Sequence, residues 1–282
     1  MAKLGTVAAI YRYPVKSMLG ESIRSAAIHE GGIVGDRLWA VRDESRGDFM
    51  TAKRAGALMG CIARSPGSAD GAPEIELPSG EAFRADDPSA GKRLSDYLGR
   101  QVTLWPCESP PADPAPAASP ERSQAELEAI LARAPGEPLP DLSAIPEELL
   151  EFRARPVKPF VDLAPLMLLT SASMAALARS APESRIDVRR FRPSVTIDAV
   201  EPARFPEQAW IGHRVRVGDS VWRVRMTCPR CVMTTHGFAD LPQDPAVMRR
   251  LVSAAGGNLG VYASVERPGR IRVGDGIEAL RG

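Results

Sequence analysis

The chain has 282 residues, of which 44% are hydrophobic and 25% are charged, so it contains enough apolar sequence for one large or two small folded domains. Its 36 Lys and Arg residues nearly balance its 35 Asp and Glu residues, and the formal charge of +1 excludes a protein that binds polyanions over its whole surface. With 26 prolines, 24 glycines and only 5% aromatic residues, the composition favours short strands and many turns around an aliphatic core.

The first residues have neither the basic stretch nor the apolar run of a secretory signal, and no uncharged apolar segment reaches the roughly 20 residues that span a bilayer. We therefore expect a cytoplasmic protein that neither enters nor spans a membrane. The four cysteines are too few for a disulfide framework in a chain of this size.

Strand and turn signals fill the first part of the chain. Residues 37–52 contain two strand-like stretches around a polar turn, and residues 74–85 predict a second hairpin. A short helix over residues 89–99 ends at Gly99, where a left-handed cap is easily formed. A strand then closes a β-rich domain that we assign to residues 1–105.

Residues 106–159 differ in composition from the rest of the chain. Between residues 106 and 151 there are ten prolines, ten acidic residues and two arginines, which gives a local charge of −8. We interpret this region as a surface insertion or linker, and favour a variable connector without chemistry over a partner-binding arm. Its one periodic piece places Leu127, Ile130 and Leu131 on one helical face, which is compatible with a docked helix.

Residues 160–282 have an α+β pattern. Ser171 is a plausible N-cap for a helix that ends at Ser180, and residues 210–226 form the clearest hairpin of the chain. The second strand of this hairpin runs directly into Cys228 and Cys231. Asp244 and Pro245 then begin another helix, which is followed by terminal strands.

Cys228 and Cys231 are the strongest chemical signal, because two thiolates at this spacing can bind a soft metal or act as nucleophiles. A structural zinc site would need further ligands at comparable spacing, which the sequence does not offer. A thioredoxin-like dithiol would precede a helix, whereas Thr-Thr-His-Gly follows Cys231. The third interpretation is that one sulfur binds a metal whose other ligands belong to a cofactor.

Arginines are concentrated near this pair. The segment 185–230 contains ten arginines, no lysine and five acidic residues, and the planar guanidinium group suits phosphate. The signal is partly compositional, since the whole chain has 31 arginines and 5 lysines. Nucleic acid is not indicated, because aromatic residues are not interleaved with the basic ones.

Six motifs occur in the order found in MOSC proteins: YPVKSMLGE, GIVGDRLWAV, FRPSVTI, WIGHRVRVGD, CPRCVMTT and NLGVYASV. Apart from the acidic insertion, the whole chain resembles the long subclass that includes bacterial reductases of N-hydroxylated compounds and the mitochondrial amidoxime-reducing component. This resemblance implies a β-rich α+β fold, with an N-terminal β-barrel-like domain and a C-terminal MOSC β-barrel with peripheral helices.

The resemblance further implies a molybdenum cofactor whose metal is bound by Cys231. Cys228 is then a neighbour of this ligand and does not bind the metal itself. The residues at positions that hold the pterin or its phosphate are Lys16, Ser17, Arg37, Thr170, Ser171, Arg192, Ser194, Pro229 and Arg230. Relatives often have Asn in place of Ser194, and an acidic residue where this chain has His236 and Gly237. These departures concern substrate preference more than cofactor binding. Near a molybdenum centre, His236 is a candidate proton donor.

We therefore expect an oxidoreductase that reduces small N-hydroxylated substrates. Electrons would come from a ferredoxin, a flavoprotein reductase or a cytochrome, since the sequence has no iron–sulfur cysteine set and no dinucleotide fingerprint. Two alternatives stay open: a sulfur carrier that holds a persulfide on Cys231 with Cys228 as resolving thiol, and a cofactor-binding protein without turnover. The residues make no independent case for pyridoxal phosphate.

Overall fold

The computed structural model describes residues 2–66, 71–109, 123–141, 145–155 and 158–280. Its strands are β1 Ala2–Arg12, β2 Glu21–Ile23, β3 Ser25–His29, β4 Gly32–Ile33, β5 Trp39–Asp43, β6 Asp48–Phe49, β7 Ile62–Arg64, β8 Glu74–Glu76, β9 Ala82–Arg84, β10 Val102–Pro106, β11 Leu166–Thr170, β12 Val195–Ala199, β13 Arg214–Val217, β14 Ser220–Pro229, β15 Asn258–Arg267, β16 Gly269–Arg272 and β17 Gly276–Leu280. Its α-helices are α1 Ala90–Leu98, α2 Gln124–Ile130, α3 Glu147–Ala154, α4 Ser171–Ser180 and α5 Ala246–Ala255.

Seven strands close into a barrel in the order β12, β11, β15, β14, β13, β17 and β1, and β1 then pairs with β12. Only β11 and β12 run parallel, and the other neighbours are antiparallel. Alternating residues point inwards and form the barrel core around the fully buried Trp222. The β-rich α+β class is therefore confirmed.

The hairpin predicted over residues 210–226 is present as β13 and β14. Val217 pairs with Ser220 across a two-residue turn, and Gly218 in that turn has a φ of 53°, which glycine adopts without a steric penalty. Because β14 continues to Pro229, the hairpin carries the cysteine pair to the end of the barrel.

The N-terminal domain contains two three-stranded sheets, β10-β5-β6 and β7-β8-β9. Helix α1 covers them, and its Leu94 is fully buried in a core shared with Leu58 and Ile75. As predicted, α1 is followed by a left-handed Gly99, with a φ of 64°. The first strand of the chain is an exception to this domain division, because β1 pairs with β12 and β17 inside the barrel.

Parts of the acidic region lie against the barrel. The predicted helix is present as α2, which begins with a capping box between Ser123 and Glu126. A second helix, α3, buries Leu149 and Phe152 and was not predicted. The rest of the connector prediction, at residues 110–122, 142–144 and 156–157, lies outside the described residues.

The helix predicted after β11 begins one residue earlier than expected. Thr170, rather than Ser171, is the N-cap of α4, and its side chain accepts a hydrogen bond from the Ser173 backbone N–H. Thr170 has the extended backbone that an N-cap requires, with a φ of −87° and a ψ of 149°. The N-cap prediction for Ser171 is therefore wrong by one position.

Candidate functional site

A cavity of about 260 Å³ lies where the N-terminal domain, the barrel and the acidic region meet. Loops after β1 and β4, the segment before β12 and the end of β14 contribute its polar residues. Eight of the site residues predicted from the sequence line this cavity: Lys16, Ser17, Arg37, Arg192, Ser194, Pro229, Arg230 and Cys231. The folded chain thus brings together motifs that are far apart in the sequence.

The two cysteines have different surroundings. Cys231 is partly exposed and lines the cavity, just after the end of β14. Cys228 is 1% exposed, and its Sγ accepts a hydrogen bond of 2.9 Å from Arg230 Nη1. Of the two thiols, Cys231 is therefore the one that a bound group can reach.

Two interpretations of the cysteine pair, a structural zinc site and a thioredoxin-like dithiol, find no support in the described part of the chain. No group of three or more His, Cys, Asp or Glu side chains there is arranged to hold a metal ion. Cys231 is followed by a short 3-10 helix over Val232–Thr235, and the next α-helix begins only at Ala246. A structural zinc site and a thioredoxin-like arrangement both require a different neighbourhood.

Arg230 connects the two cysteines to the barrel. Its Nη2 donates to the Phe191 carbonyl at 2.6 Å, while Nη1 donates to Cys228. Its Nε is buried and has no hydrogen-bond partner within the described structure. A buried donor without a partner is costly, so an acceptor bound beside Arg230 would be favoured. Arg133 Nη2, which belongs to a residue outside the cavity lining, is also buried without a described partner.

Two further guanidinium groups lie on one aromatic ring. The guanidinium carbons of Arg192 and Arg37 lie 4.1 and 5.0 Å from the centroid of the Tyr13 ring. Arg37 is paired with Asp36, whereas Arg192 donates to the Met18 carbonyl. Burial, together with the charge of Arg37, lowers the pKa of Arg192 to about 10. We call Arg37, Arg192 and Arg230 the cationic cluster.

The backbone is strained at the same place. Five non-glycine residues of the described chain have positive φ, and three of them line the cavity: Ser17 at 68°, Arg37 at 54° and Arg192 at 53°. Such conformations cost about 1–3 kcal/mol each and persist where surrounding contacts enforce them. Here Ser17 Oγ accepts from the Ala52 N–H at 2.9 Å, and the Arg37 carbonyl accepts from the Phe160 N–H at 2.7 Å.

Lys16 is held by a carboxylate at the cavity wall. Its Nζ donates to Asp162 Oδ1 at 2.6 Å and to the Phe160 carbonyl at 2.9 Å, and Lys53 contacts the other Asp162 oxygen at 2.9 Å. Burial lowers the pKa of Lys16, and Asp162 partly offsets this effect. Burial alone would raise the pKa of Asp162, but the two ammonium groups hold it well below its usual value.

Thr170 and Ser171 are not among the residues that line the cavity. Thr170 and Ser173 both donate hydroxyl hydrogen bonds to the buried carboxylate of Glu207, at 2.6 and 2.7 Å. Ser171 is exposed, at the start of α4. We call Thr170, Ser173 and Glu207 the Glu207 cluster. Its geometry shows a role in capping α4 for Thr170, and the cofactor contact predicted for this pair stays a prediction without geometric support.

His236 also lies outside the cavity lining. Its Nε2 is 2.8 Å from the Ala52 carbonyl of the N-terminal domain, and since a carbonyl only accepts, Nε2 carries the proton. Ala52 in turn donates to Ser17, which lines the cavity. This geometry favours a positioning role for His236 over the proton-donor role that we predicted.

Several residues of the site were missed by sequence reasoning. Tyr13 is the first residue of the motif that contains Lys16, and Asp36 precedes Arg37 in its motif, so both were within reach of a motif argument. Lys53 and Asp162 gave no signal. Arg190 is fully buried and donates to the carbonyls of Thr234, His236 and Pro242, and thereby fixes the chain after Cys231.

Residues 157–278 match the MOSC domain family, and residues 4–99 match the MOSC N-terminal beta barrel domain. The chain is therefore a MOSC domain protein with a MOSC N-terminal β-barrel domain, as its motifs indicate.

Among its relatives, mitochondrial amidoxime reducing component 2 of Rattus norvegicus is 25% identical over 98% of this chain and 84% of that protein. Mitochondrial amidoxime-reducing component 1 of Mus musculus is 25% identical over 99% of the chain and 84% of that protein. The human component 2 is 30% identical over 42% of the chain and 38% of that protein.

Solved structures that resemble this chain include the YUAD protein from Bacillus subtilis, with a TM-score of 0.45 and 12% identity over 98% of the chain and 94% of that protein. YiiM from Escherichia coli matches with a TM-score of 0.33 and 15% identity over 42% of the chain and 55% of that protein. No helix in the described ranges has the length and apolar character needed to cross a bilayer.

Proposed function

We propose that this protein is a molybdenum-cofactor-dependent oxidoreductase that reduces N-hydroxylated compounds such as amidoximes. The observation that carries the proposal is the partly exposed Cys231 beside the cationic cluster in one cavity. The full-length similarity to proteins named amidoxime-reducing components supports the same reaction class.

The residues of the cavity fit such a cofactor. A phosphorylated pterin needs cationic and hydrogen-bonding partners, and the cavity offers Lys16 and the cationic cluster, including the unpartnered Arg230 Nε. The thiolate of Cys231 is the soft ligand that a metal of this kind requires. When bound, the cofactor supplies a two-electron redox centre.

The chain's own residues hold and shield that group. Arg192 and Arg230 would bind its phosphate, and the Tyr13 ring fixes the direction of the Arg192 and Arg37 guanidinium groups that lie on it. Asp162 keeps the Lys16 ammonium at the cavity wall. Arg190 holds the segment after Cys231, so the thiolate is presented in one position.

The net reaction takes two electrons and two protons for each N-hydroxyl group that is converted to N–H with release of water. The electrons come from an external ferredoxin, flavoprotein reductase or cytochrome. We place the protein in the cytoplasm, although the relatives named above carry the word mitochondrial.

The test is to produce wild-type protein and Cys231→Ser in a host that makes molybdenum cofactor. Molybdenum per chain and reduction of benzamidoxime by a reduced viologen dye are then measured. Wild type should bind near-stoichiometric molybdenum, and Cys231→Ser should lose the metal and at least about 100-fold of the activity, because a direct ligand is removed. Cys107→Ser is the matched control, since Cys107 is a buried thiol that does not line the cavity.

One outcome would replace the proposal by the sulfur-carrier alternative. Mass spectrometry of the purified protein would then show Cys231 carrying one additional sulfur atom, with no molybdenum in the sample. Bound molybdenum without any benzamidoxime reduction would instead identify a cofactor-binding protein without turnover.

A further inference from the structure

The cavity is lined by two unlike sets of residues. The cationic cluster and Lys16 form one set, and the acidic region contributes another. The residues that this region contributes are mostly apolar: Leu127, Ile130, Leu131 and Ile145, with Arg153 among them. A region that we interpreted as a connector without chemistry therefore supplies a wall of the site.

This wall is fixed to the barrel domain by a buried arginine. Arg133 is 6% exposed, and it donates to the carbonyls of Leu131 at 3.0 Å and Pro138 at 3.2 Å. Its guanidinium group lies against Gly257, where a Cβ atom would be only 2.0 Å from Nη2. The Gly257 carbonyl accepts from the Arg230 backbone N–H at 2.9 Å, so the anchor adjoins the cationic cluster.

Two ion pairs and an apolar contact add to this anchor. Glu137 pairs with Arg249 of α5 at 2.5 Å, and Glu148 pairs with Arg225 of β14 at 3.0 Å. Leu149 is fully buried in a small core with Leu163. The acidic composition of the region therefore complements arginines of the barrel domain, and the wall has a defined position.

Leu127 and Ile130 remain partly exposed although they face the cavity. They are three residues apart and so share one side of α2, while Ala125 and Ala129 are exposed and do not line the cavity. Covering apolar surface gains about 25 cal/mol per Å². A substrate with an apolar body would cover these side chains, and a small polar one would not.

We propose that Leu127 and Ile130 select the substrate. They favour N-hydroxylated compounds whose carbon skeleton is aromatic or branched aliphatic, with the N-hydroxyl group directed to Cys231. This inference rests on the proposed reductase function, and deepens it by naming the substrate class and the residues that recognise it.

The test compares each variant with wild type on two substrates that share the N–O bond to be cleaved but differ in the group that carries it: benzamidoxime, which is aromatic, and hydroxyurea, which is small and polar. Leu127→Asn should raise KM for benzamidoxime about 10- to 100-fold with little change in kcat, because an apolar contact discriminates by that factor. KM for hydroxyurea should stay unchanged. Ile130→Asn should act in the same direction, and Leu127→Met should restore the wild-type values.

Ala125→Asn and Ala129→Asn are matched controls, because they place the same polar residue on the same helix without touching the cavity. Thermal unfolding of each variant checks its fold, and Leu127→Ala replaces Leu127→Asn if the latter fails to fold. An equal rise of KM for both substrates, or the same rise in either control, would overturn the selection role and make α2 merely structural.

Calorimetric titration of benzamidoxime into the purified protein separates this inference from the reductase proposal. If wild type reduces neither substrate, the proposed function fails. The binding data alone then show whether Leu127 and Ile130 contact the apolar part of the substrate. Weaker binding to Leu127→Asn than to wild type and Ala125→Asn supports the inference. Equal binding to all three, or no binding to wild type, overturns it.

Discussion

Two polar clusters show how a buried polar group with unused donors differs from one whose hydrogen bonds are complete. The Glu207 cluster has a carboxylate that accepts two hydroxyl hydrogen bonds, and the Thr170 hydroxyl also caps α4. The cationic cluster has three guanidinium groups, one carboxylate partner at Asp36, and a buried Arg230 Nε that has no partner among the described residues. All three arginines of the cationic cluster were predicted as cofactor contacts from motifs, whereas Thr170 was the only member of the Glu207 cluster that was predicted. Only the second has an excess of donors, and only the second borders a cavity.

Among the substitutions that test this comparison, we expect the largest effect from replacing Arg192. Arg192→Met removes a charge-assisted hydrogen bond worth about 1.5–3 kcal/mol, which corresponds to roughly 10- to 100-fold weaker retention of an anionic cofactor. Molybdenum per chain after extended dialysis measures this loss, and Arg192→Lys should retain an intermediate amount.

The same variant separates binding from stability. The fold lowers the pKa of Arg192 because its charge is poorly solvated, so the cofactor-free Met variant should unfold at the wild-type temperature or above. A variant that keeps its molybdenum, or a cofactor-free variant that unfolds well below wild type, would show that the cationic cluster is structural.

A smaller, pH-dependent effect is expected at Glu207. Burial raises its pKa above the ordinary value of 4.5, although Thr170 and Ser173 oppose the shift. The folded protein therefore holds this proton more tightly than the unfolded chain does, and stability falls as the pH rises from about 4.5 through the folded pKa. Glu207→Gln cannot ionise, so it should lack this loss.

Urea unfolding of wild type and Glu207→Gln between about pH 4 and pH 8 measures the difference. The stability of wild type relative to the variant should decline across this range, while molybdenum content stays equal. A constant difference would contradict the assigned shift, and loss of metal in the variant would connect the Glu207 cluster to the cofactor after all.

The smallest effect is expected at His236. His236→Asn should lower the free energy of unfolding by about 1 kcal/mol, the net value of a hydrogen bond, because the contact with Ala52 weakens. The pH dependence of kcat should keep its shape, since the side chain does not line the cavity. If kcat of the variant no longer changes with pH near neutrality where that of wild type does, His236 is the proton donor after all.

The sequence contained the local part of this structure. Alternation of apolar residues around a two-residue Gly218 turn was sufficient to predict β13 and β14, and the Gly99 cap was sufficient to end α1. Motif order identified the residues from separate loops that meet in the cavity. Thr170 was assigned to the cofactor by the same motif argument. In the structure, its side chain instead caps α4 and donates a hydrogen bond to Glu207.

The acidic region was harder to predict, because its position depends on contacts between residues more than 100 positions apart. Arg133 packs against Gly257 and Glu137 pairs with Arg249, and neither partner gives a signal in the local sequence. The composition of the acidic region, taken alone, favoured a connector. Similarly, Lys53 and Asp162 acquire a role only in the folded chain, where Asp162 lies between the ammonium groups of Lys16 and Lys53.

The closure of the barrel has a consequence for biosynthesis. β1 is translated shortly before its partner β2 but long before its other partners, β12 and β17, and Ala2 of β1 pairs with Ala279 of β17. At 5–20 residues per second, the first strand waits roughly 15 to 55 s for the last one to be translated. During that time only the end of β1 can pair, with β2, and the rest of its edges is available for wrong partners. A truncation of only the final strand would leave one gap in the cylinder, with β13 and β1 as its unpaired edges.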